Sequence, residues 1–320
     1  MKKSLLLVVI GILALFVAAC GSSNNDTTEK EPTGGNEKET TTYTVKHAMG
    51  EATIEGTPEK VVILTNEGTE ALLSMGVIPV GAVQSWTGDP WYEHIADQME
   101  GVEVVGTESE VNVEAIAALQ PDLIIGTKLR QEAIYEQLNK IAPTVMSETL
   151  KGDWQENFAL YAEALGKTAE GETVMADYNA RVEQLSTDLG DHLTKEISMV
   201  RFLAGDTRIY HKDSFSGIIL DQLGFARPDG QDVDDFAEKG VTKERVSAMD
   251  GDVLFYFTYE TGDGEGAKME EDWLNDPLFQ NLEVAKAGNV VEVSDTIWNT
   301  AGGVLAANKM LDDIEDYFLK

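Results

Sequence analysis

The sequence predicts an α/β protein of two lobes, each a mostly parallel sheet flanked by helices, joined by one long linking helix. Three observations lead to this prediction. Strand-like and helix-like segments alternate, a long helical pattern divides them into two series, and one phrase occurs in both series. Alternating β and α segments favour parallel sheets with helices on both faces. Each lobe is therefore expected to be Rossmann-like.

The first series of elements lies between residues 60 and 141. Short runs rich in valine and isoleucine favour strands, whereas apolar residues three and four positions apart favour helices. The predicted order is strand Lys60–Leu64, helix Glu67–Met75, strand Val80–Val83, helix Trp91–Met99, strand Leu123–Gly126 and helix Gln131–Ile141. Such repeated β–α units place successive strands parallel in one sheet.

The second series is separated from the first by a long helical pattern. This pattern runs from about Thr168 to Leu189 and contains no glycine after Gly171, and the alternation resumes at Ile197. A helix of this length can span both lobes of a two-lobed protein. We therefore place the N-terminal lobe at 43–165, the linking helix at 166–192 and the C-terminal lobe at 193–320.

One phrase of the sequence is repeated. Residues Val111–Ile124 are matched by Val241–Leu254, with apolar positions, an alanine, a glutamate and an aspartate at the same places. Each copy is expected to form a short helix that leads into a buried strand. A weaker match pairs Ala71–Gly76 with Ile219–Gly224. Two related lobes are the simplest explanation, and chance similarity between amphipathic segments is the alternative.

The first 19 residues are typical of a secretory signal peptide. Two lysines precede the apolar run Leu5–Phe16, and small residues precede Cys20, the single cysteine of the chain. The run is shorter than the roughly 20 residues of a membrane-spanning helix. The ending Val17–Cys20 resembles the lipobox of bacterial lipoproteins, in which the cysteine thiol receives a diacylglycerol that anchors the protein stably. The alternative is an ordinary signal peptide with an incidental cysteine.

Residues 20–42 are predicted to form a disordered tether behind this lipidated cysteine. The segment consists largely of serine, asparagine, aspartate, threonine, glutamate, lysine and glycine. Such a composition buries too little apolar surface to offset the entropy lost on ordering. We therefore expect a flexible spacer between the membrane and the folded lobes.

Composition excludes several classes of function. The chain has 57 acidic and 24 basic residues and a net charge of −33, which opposes binding to nucleic acid. The four histidines are scattered and no cysteine cluster exists, so no metal site is predicted. The sequence contains no Gly-x-Ser-x-Gly elbow, P-loop or His-Glu-x-x-His motif. We therefore expect a protein that is not an enzyme and holds no cofactor.

Several phrases resemble the iron-siderophore-binding proteins of ABC importers, in the class whose lobes are joined by a single helix. These phrases are Pro58–Ile63, Glu70–Val77, Asn112–Ile125, Ile141–Val145 and Phe215–Gly224. The segments Thr127–Arg130 and Trp298–Gly303 are similar to those of hydroxamate and citrate-type siderophore binders of Gram-positive bacteria.

The resemblance implies a monomer, lipid-anchored on the outer face of the cytoplasmic membrane and extracellular in a Gram-positive bacterium. The protein would capture a ferric siderophore between its lobes. It would deliver that cargo to the transmembrane subunits of an ABC permease, which an ATPase drives. Haem or a corrinoid is an alternative cargo within the same architecture. A lipid-anchored surface enzyme on an α/β scaffold is the more distant alternative.

The ligand is expected between the lobes, on loops at the ends of strands. A siderophore already coordinates its iron, so the site needs cations and aromatic surfaces rather than metal ligands. Arginine suits this role because its guanidinium contacts carboxylate or hydroxamate oxygens in pairs. For Trp86 and Trp298 packing is an alternative to ligand contact. The predicted ligand-binding residues are Arg130, Arg208, Tyr210, Arg201, Trp86, Trp298, Asn299 and Phe215.

Glu114 and Glu244 occupy equivalent places in the repeated phrase. Each is expected in the first turn of a helix, where Asn112 or Thr242 could provide the cap. A carboxylate there is stabilised by the positive end of the helix dipole, which is a sufficient structural role. The resemblance implies a further role, in which one glutamate from each lobe pairs with arginines of the permease.

Overall fold

The computed structural model describes residues 41–150 and 152–320. The predicted signal peptide (1–19), Cys20 and nearly all of the predicted tether (20–42) lie outside the described residues. The described chain opens with a hairpin of two antiparallel strands, β1 (Thr42–His47) and β2 (Gly50–Glu55). This hairpin is not among the elements predicted from the sequence.

The first lobe contains a five-stranded, fully parallel sheet, as predicted. Its order is β5-β4-β3-β6-β7, and β3 in the centre is buried on both faces. Continuous apolar runs such as Val61–Ile63 suit strands covered on both sides. The strands are β3 (Val61–Ile63), β4 (Gly81–Ala82), β5 (Glu103–Val104), β6 (Leu123–Thr127) and β7 (Thr144–Ser147). The helices are α1 (Asn66–Ser74), α2 (Val113–Leu119), α3 (Lys128–Gln131), α4 (Tyr135–Leu138) and α5 (Trp154–Ala164).

Helix α6 (Thr168–Leu189) follows the first lobe and has the bounds that its sequence pattern predicts. Buried residues recur at three- and four-residue spacing along one face of α6, as expected for a half-buried helix. The buried residues along that face are Gly171, Tyr178, Val182, Leu185 and Leu189. The hydroxyl of Tyr178 donates to Gln222 Oε1 at 2.8 Å, which ties this helix to the second lobe.

The second lobe has a five-stranded mixed sheet in the order β10-β9-β8-β11-β12. Strands β8, β11 and β12 are parallel, whereas β9 forms an antiparallel hairpin with β8 and pairs antiparallel with β10. The strands are β8 (Ile197–Leu203), β9 (Asp206–Tyr210), β10 (Ala237–Glu238), β11 (Val253–Thr258) and β12 (Val290–Glu292). The helices are α7 (Phe215–Leu223), α8 (Glu265–Leu274), α9 (Glu283–Lys286) and α10 (Val304–Leu319).

The repeated phrase occupies the same place in both lobes, which confirms the internal relationship. In the first lobe Asp122 precedes β6, and its Oδ2 accepts from Lys60 N at 2.9 Å just before β3. In the second lobe Asp252 precedes β11, and its Oδ2 accepts from Glu196 N at 2.9 Å just before β8. The recurring aspartate therefore joins the starts of two adjacent parallel strands in each lobe.

The weaker repeat also has a structural counterpart. Helix α1 is capped by Thr65, whose Oγ1 accepts from Gly68 N, and α7 is capped by Ser214, whose Oγ accepts from Gly217 N, both at 3.1 Å. A hydroxyl cap of this kind satisfies a backbone donor that the first turn of a helix leaves free. Both helices follow a strand of the sheet, so the two lobes share this unit as well.

Two predicted helices of the first lobe are shorter than the sequence pattern indicated. Of the segment Trp91–Met99, only Ala96–Met99 is helical, as a 3₁₀ turn. Tyr92 N donates to Ser85 Oγ at 2.9 Å and Tyr92 OH to Thr300 O at 2.9 Å, so tertiary bonds hold the preceding residues in turns. The predicted helix Gln131–Ile141 is broken into short pieces, with a 3₁₀ turn between α3 and α4.

The final helix, α10, contacts α1 of the first lobe as well as the linking helix α6. Glu70 of α1 is fully buried, and its Oε2 accepts from Ala306 N in the first turn of α10 at 2.8 Å. The other oxygen, Oε1, is bound by His94 Nε2. The last segment of the chain is thus attached to both lobes.

Candidate ligand-binding site

A cavity of about 780 Å³ lies between the two lobes. Residues that follow β3, β4 and β6 line one side, and residues of β8, β9 and the segment 299–302 line the other. This is the carboxyl-end position at which open α/β sheets place ligands. Its volume is within the range of sites that bury a small organic ligand.

Seven of the eight predicted ligand-binding residues line this cavity. They are Arg130, Arg208, Tyr210, Arg201, Trp86, Asn299 and Phe215. The structure therefore brings together residues that are far apart in the sequence, although their contact with a ligand stays a prediction.

Trp298 is the exception, and its predicted ligand contact is wrong. Its side chain is fully buried, its ring centroid lies 4.7 Å from that of Phe255, and its Nε1 donates to Asp313 Oδ2 at 2.8 Å. Residues Thr296–Thr300 form a π-helical turn that directs the indole inward while Asn299 and Thr300 line the cavity. The packing alternative is the correct one for Trp298.

Arg130 is positioned by helix α3, which begins immediately after β6. Its guanidinium carbon lies 5.9 Å from the ring centroid of Trp86, and its Nε lies 3.9 Å from Glu108 Oε2. The side chain is 40% exposed and donates no hydrogen bond to another described residue. Its N–H groups are therefore available to an anionic ligand.

Arg208 lies on the hairpin of the second lobe, on the same strand face as Tyr210. Its Nε donates to Asp206 Oδ2 at 2.6 Å, and both side chains are a quarter exposed. Within the described part of the chain its two terminal nitrogens have no hydrogen-bond partner. These nitrogens form a planar pair of donors of the type that binds carboxylate oxygens.

Arg201 is directly opposite Arg208 in the hairpin but differs in its contacts. Its Nε and Nη2 donate to the two oxygens of Asp295 at 2.6 and 3.1 Å, and Nη1 donates to Tyr210 OH at 3.2 Å. The guanidinium also lies over the ring of Tyr259, 4.9 Å from its centroid. All three nitrogens are engaged, so Arg201 orients the aromatic wall of the cavity.

Three carboxyl groups line the cavity, those of Glu67, Glu108 and Asp235, and none of them was predicted as a site residue. Glu67 is 7% exposed, and its Oε1 accepts from Asn157 Nδ2 and from Tyr161 OH, each at 2.8 Å. Burial raises the pKa of Glu67 to about 8, although these hydrogen bonds oppose the rise. Glu67 follows the buried strand β3 directly, and residues after strands line the ligand sites of open α/β sheets. This position could have predicted Glu67 from the sequence, as it did Arg130.

Residue Glu108 belongs to the loop after β5, and its carboxyl group reaches the start of helix α1, near Glu67. Its Oε1 accepts from Asn66 N at 2.8 Å, so the carboxyl group satisfies a free backbone donor at the positive end of this helix. Burial raises the pKa of Glu108, and the bonds from Asn66 and the charge of Arg130 oppose that rise.

Glu114 and Glu244 are both exposed and form no ion pair among the described residues. Asn112 caps α2 as predicted, with Oδ1 accepting from Ala115 N at 3.0 Å. The Thr242 side chain makes no such cap. Its hydroxyl favours the charged form of Glu244 and so lowers the pKa of that group. Glu244 lies in a 3₁₀ helix, Lys243–Met249, rather than an α-helix.

Both glutamates lie at the cavity end of their lobes. Asn112 N donates to Val105 O at 2.8 Å, and Val105 directly follows β5. Val241 N donates to Thr207 O at 3.0 Å, and Thr207 pairs with Phe202 near the carboxyl end of β8. The first turn of each short helix is therefore beside the strand ends that line the cavity.

In residues 41–150 and 152–320, no group of three or more His, Cys, Asp or Glu side chains is arranged to hold a metal ion. Over the same residues, no helix has the length and apolar character needed to cross a membrane.

Comparison with known families decides the class of this site. The family described as periplasmic binding protein matches residues 61–296, which is most of the chain and includes both sheets. The chain belongs to the periplasmic binding protein family. This family is a class of binding proteins rather than of enzymes.

Two proteins of Bacillus subtilis (strain 168) are similar to the chain along most of its length. The "Probable siderophore-binding lipoprotein YfiY" is 55% identical over 287 residues, which cover 87% of this chain and 88% of that protein. The "Fe(3+)-citrate-binding protein YfmC" is 30% identical over 268 residues, covering 83% of this chain and 82% of that protein.

A solved structure of the same fold is that of Staphylococcus aureus SirA complexed with staphyloferrin B. It superimposes with a TM-score of 0.80 at 34% identity and covers 86% of this chain and 97% of SirA. This likeness confirms the predicted architecture of two α/β lobes joined by a long helix.

Proposed function

We propose that this periplasmic binding protein captures a ferric siderophore between its lobes and delivers it to an ABC permease for iron uptake. The observation that carries the proposal is the cavity of about 780 Å³, in which Arg130 and Arg208 present uncommitted N–H groups from opposite lobes. Two guanidinium groups facing each other across a cleft suit a ligand with anionic oxygens on two sides. The name of the relative YfiY supports a siderophore as the cargo.

The cargo is a ferric chelate that bears carboxylates. Its iron is coordinated by the chelator, so the protein contributes cations and aromatic rings, of which Trp86 and Tyr259 lie beside arginines of the cavity. Charge-assisted bonds to guanidinium groups are stronger for carboxylates than for neutral oxygens. The relatives named for siderophore and ferric citrate binding favour this cargo over haem or a corrinoid.

The protein is a monomer held at the outer face of the cytoplasmic membrane by a lipid on Cys20. Residues 1–19 act as the signal peptide, and residues 20–42 form the tether that carries the lobes 43–165 and 193–320. The relative YfiY, which is named a lipoprotein, supports this localisation. Family membership supports a binding protein without catalysis.

Glu114 and Glu244 dock the loaded protein on the permease. Each is exposed, lacks an ion-pair partner among the described residues and lies at the cavity end of its own lobe. A carboxylate with these properties is free to pair with a cation of another protein.

Fluorescence titration tests the cargo. The purified protein is titrated with ferric citrate, ferric staphyloferrin B, a ferric trihydroxamate, a ferric catecholate, haem and cobalamin, and quenching of tryptophan emission is recorded. We expect sub-micromolar saturation by a carboxylate-bearing ferric chelate without product formation. Binding of haem or cobalamin alone would refute the cargo, and turnover of a chromogenic ester would refute the absence of catalysis.

Uptake of radioactive iron by cells tests the docking proposal. The double variant Glu114→Ala, Glu244→Ala is expected to bind the chelate normally and to abolish uptake. The matched control is Glu136→Ala with Glu271→Ala, which removes one acidic residue from each lobe at other helices. Normal uptake by the first variant, or equal loss by both, would contradict the proposed docking.

A further inference from the structure

The carboxyl group of Glu67 has one engaged oxygen and one free oxygen. Oε1 accepts from Asn157 Nδ2 and Tyr161 OH, whereas Oε2 has no hydrogen-bond partner among the described residues. Glu67 lines the cavity, so the free oxygen belongs to a side chain that a ligand can reach. Its two partners are uncharged donors, and no cation forms an ion pair with Glu67 in the part of the chain that the structure describes.

The charged and titratable neighbours of Glu67 decide its ionisation. Glu108, Asp153 and Tyr161 act on it directly. The other charged or titratable groups that line the same cavity are Arg130, Arg201, Arg208, Tyr210, Asp235, Lys239 and Tyr259. Glu108 and Asp153 raise the pKa of Glu67 through repulsion, in addition to the larger effect of burial. Two neighbouring buried carboxyl groups do not both ionise readily, so one of them holds its proton.

Glu108 is better placed than Glu67 to carry the negative charge. The first backbone N–H of α1 bonds Glu108 Oε1 at 2.8 Å, and Arg130 Nε lies 3.9 Å from its Oε2. Glu67 has neither a backbone donor nor an arginine within such a distance. The proton therefore resides on Glu67, and its place is the oxygen that accepts no hydrogen bond, Oε2.

We propose, resting on the function proposed above, that Glu67 is a ligand-binding residue whose protonated carboxyl donates a hydrogen bond from Oε2 to an anionic oxygen of the chelate. The cavity then offers a neutral donor at the start of α1 in addition to Arg130 and Arg208. The site selects chelates that present a carboxylate or alkoxide oxygen at this position. Above the pKa of about 8 the ionised Glu67 repels that oxygen, and affinity decreases.

The test is a titration with ferric staphyloferrin B and with ferric citrate at pH 7, 8 and 9. The proteins compared are the wild type, Glu67→Gln, whose amide donates at every pH, and Glu108→Gln as the matched control. Both chelates change their own protonation with pH, so the wild type is compared with each variant at the same pH. From pH 7 to pH 9 we expect the dissociation constant of the wild type to rise roughly tenfold relative to Glu67→Gln. Glu108→Gln is expected to keep a pH dependence, displaced to lower pH because the repulsion that helps to raise the pKa of Glu67 is removed.

A constant ratio between the wild type and Glu67→Gln, with binding intact, would overturn this inference alone. Loss of the pH dependence in Glu108→Gln but not in Glu67→Gln would overturn it too. Failure of the wild type to bind any iron chelate would instead refute the proposed function, and this inference with it.

Infrared difference spectra of the ligand-free proteins provide a second readout. At pH 7 we expect the wild type to show a band of a protonated carboxyl group that Glu67→Gln lacks. Absence of this band from the wild type would overturn the inference.

Discussion

Removing one partner from the buried ion pair of Arg201 and Asp295 is expected to destabilise the fold, and replacing Arg201 by glutamine tests this. The two side chains are each 7% exposed, and two hydrogen bonds of 2.6 and 3.1 Å join them. Removing the arginine leaves the Asp295 carboxylate buried without a cation. The loss of one partner from a buried pair costs about 3–5 kcal/mol of unfolding free energy.

Urea unfolding, followed by tryptophan fluorescence, measures this loss. A destabilisation of about 3–5 kcal/mol lowers the urea midpoint by about 1 M or more for a protein of this size. The matched control is Arg245→Gln, which also breaks a two-point contact, to Glu238 at 3.1 and 2.8 Å. The side chains of Arg245 and Glu238 are 57% and 31% exposed, so breaking their contact is expected to cost at most about 1 kcal/mol of unfolding free energy.

A double variant separates the lost cation from the lost hydrogen bonds. Arg201→Gln combined with Asp295→Asn leaves no uncompensated charge, so it should recover part of the stability lost by Arg201→Gln alone. Equal midpoints for Arg201→Gln and Arg245→Gln would refute the reasoning. A double variant less stable than Arg201→Gln would refute the assignment of the cost to the unpaired carboxylate.

Three further predictions concern affinity, backbone packing and pH. Arg130→Gln and Arg208→Gln should each weaken binding of a carboxylate-bearing ferric chelate roughly ten- to hundredfold in fluorescence titrations, because each removes charged hydrogen bonds. Gly217→Ala should lower the urea midpoint strongly, since its Cβ would lie 2.1 Å from His211 O, whereas Gly230→Ala, with nothing within 4 Å, should not. The pKa of Glu67 is raised from an ordinary 4.5 to about 8, so the folded state binds this proton more tightly than the unfolded chain. Wild-type stability relative to Glu67→Gln should therefore fall by up to roughly 5 kcal/mol as the pH rises from 4.5 to 8, and a constant difference in unfolding free energy would contradict this.

Elements with a long or strongly apolar pattern could be predicted from the sequence. The helical pattern Thr168–Leu189 forms helix α6 with the same bounds, within the segment 166–192 that was assigned to the linking helix, and the repeated phrase forms equivalent units in both lobes. These features depend on local periodicity, which the sequence contains in full. The hairpin Thr42–Glu55 has alternating polar and apolar residues, which is a local pattern that also indicates strands.

Elements that depend on distant partners could not be predicted in the same way. The residues around Tyr92 have a helical pattern, yet bonds to Ser85 and Thr300 hold them in turns. Thr242 precedes its helix as Asn112 does, but its side chain makes no hydrogen bond to a backbone donor of that helix. Local preference is weak compared with such tertiary contacts.

The sequence by itself determined the α/β class, the two related lobes, the linking helix and the arginines placed after strands or within the hairpin. The first three follow from the spacing of hydrophobic residues along the chain. The arginines follow from their position near strand ends, where open α/β sheets bind ligands. The tertiary structure alone decided that Trp298 is buried, that Arg201 is held by Asp295, and that Glu67 faces the cavity as a buried carboxyl. Burial and charge pairing join residues as distant as 201 and 295, and no local pattern encodes which of them meet.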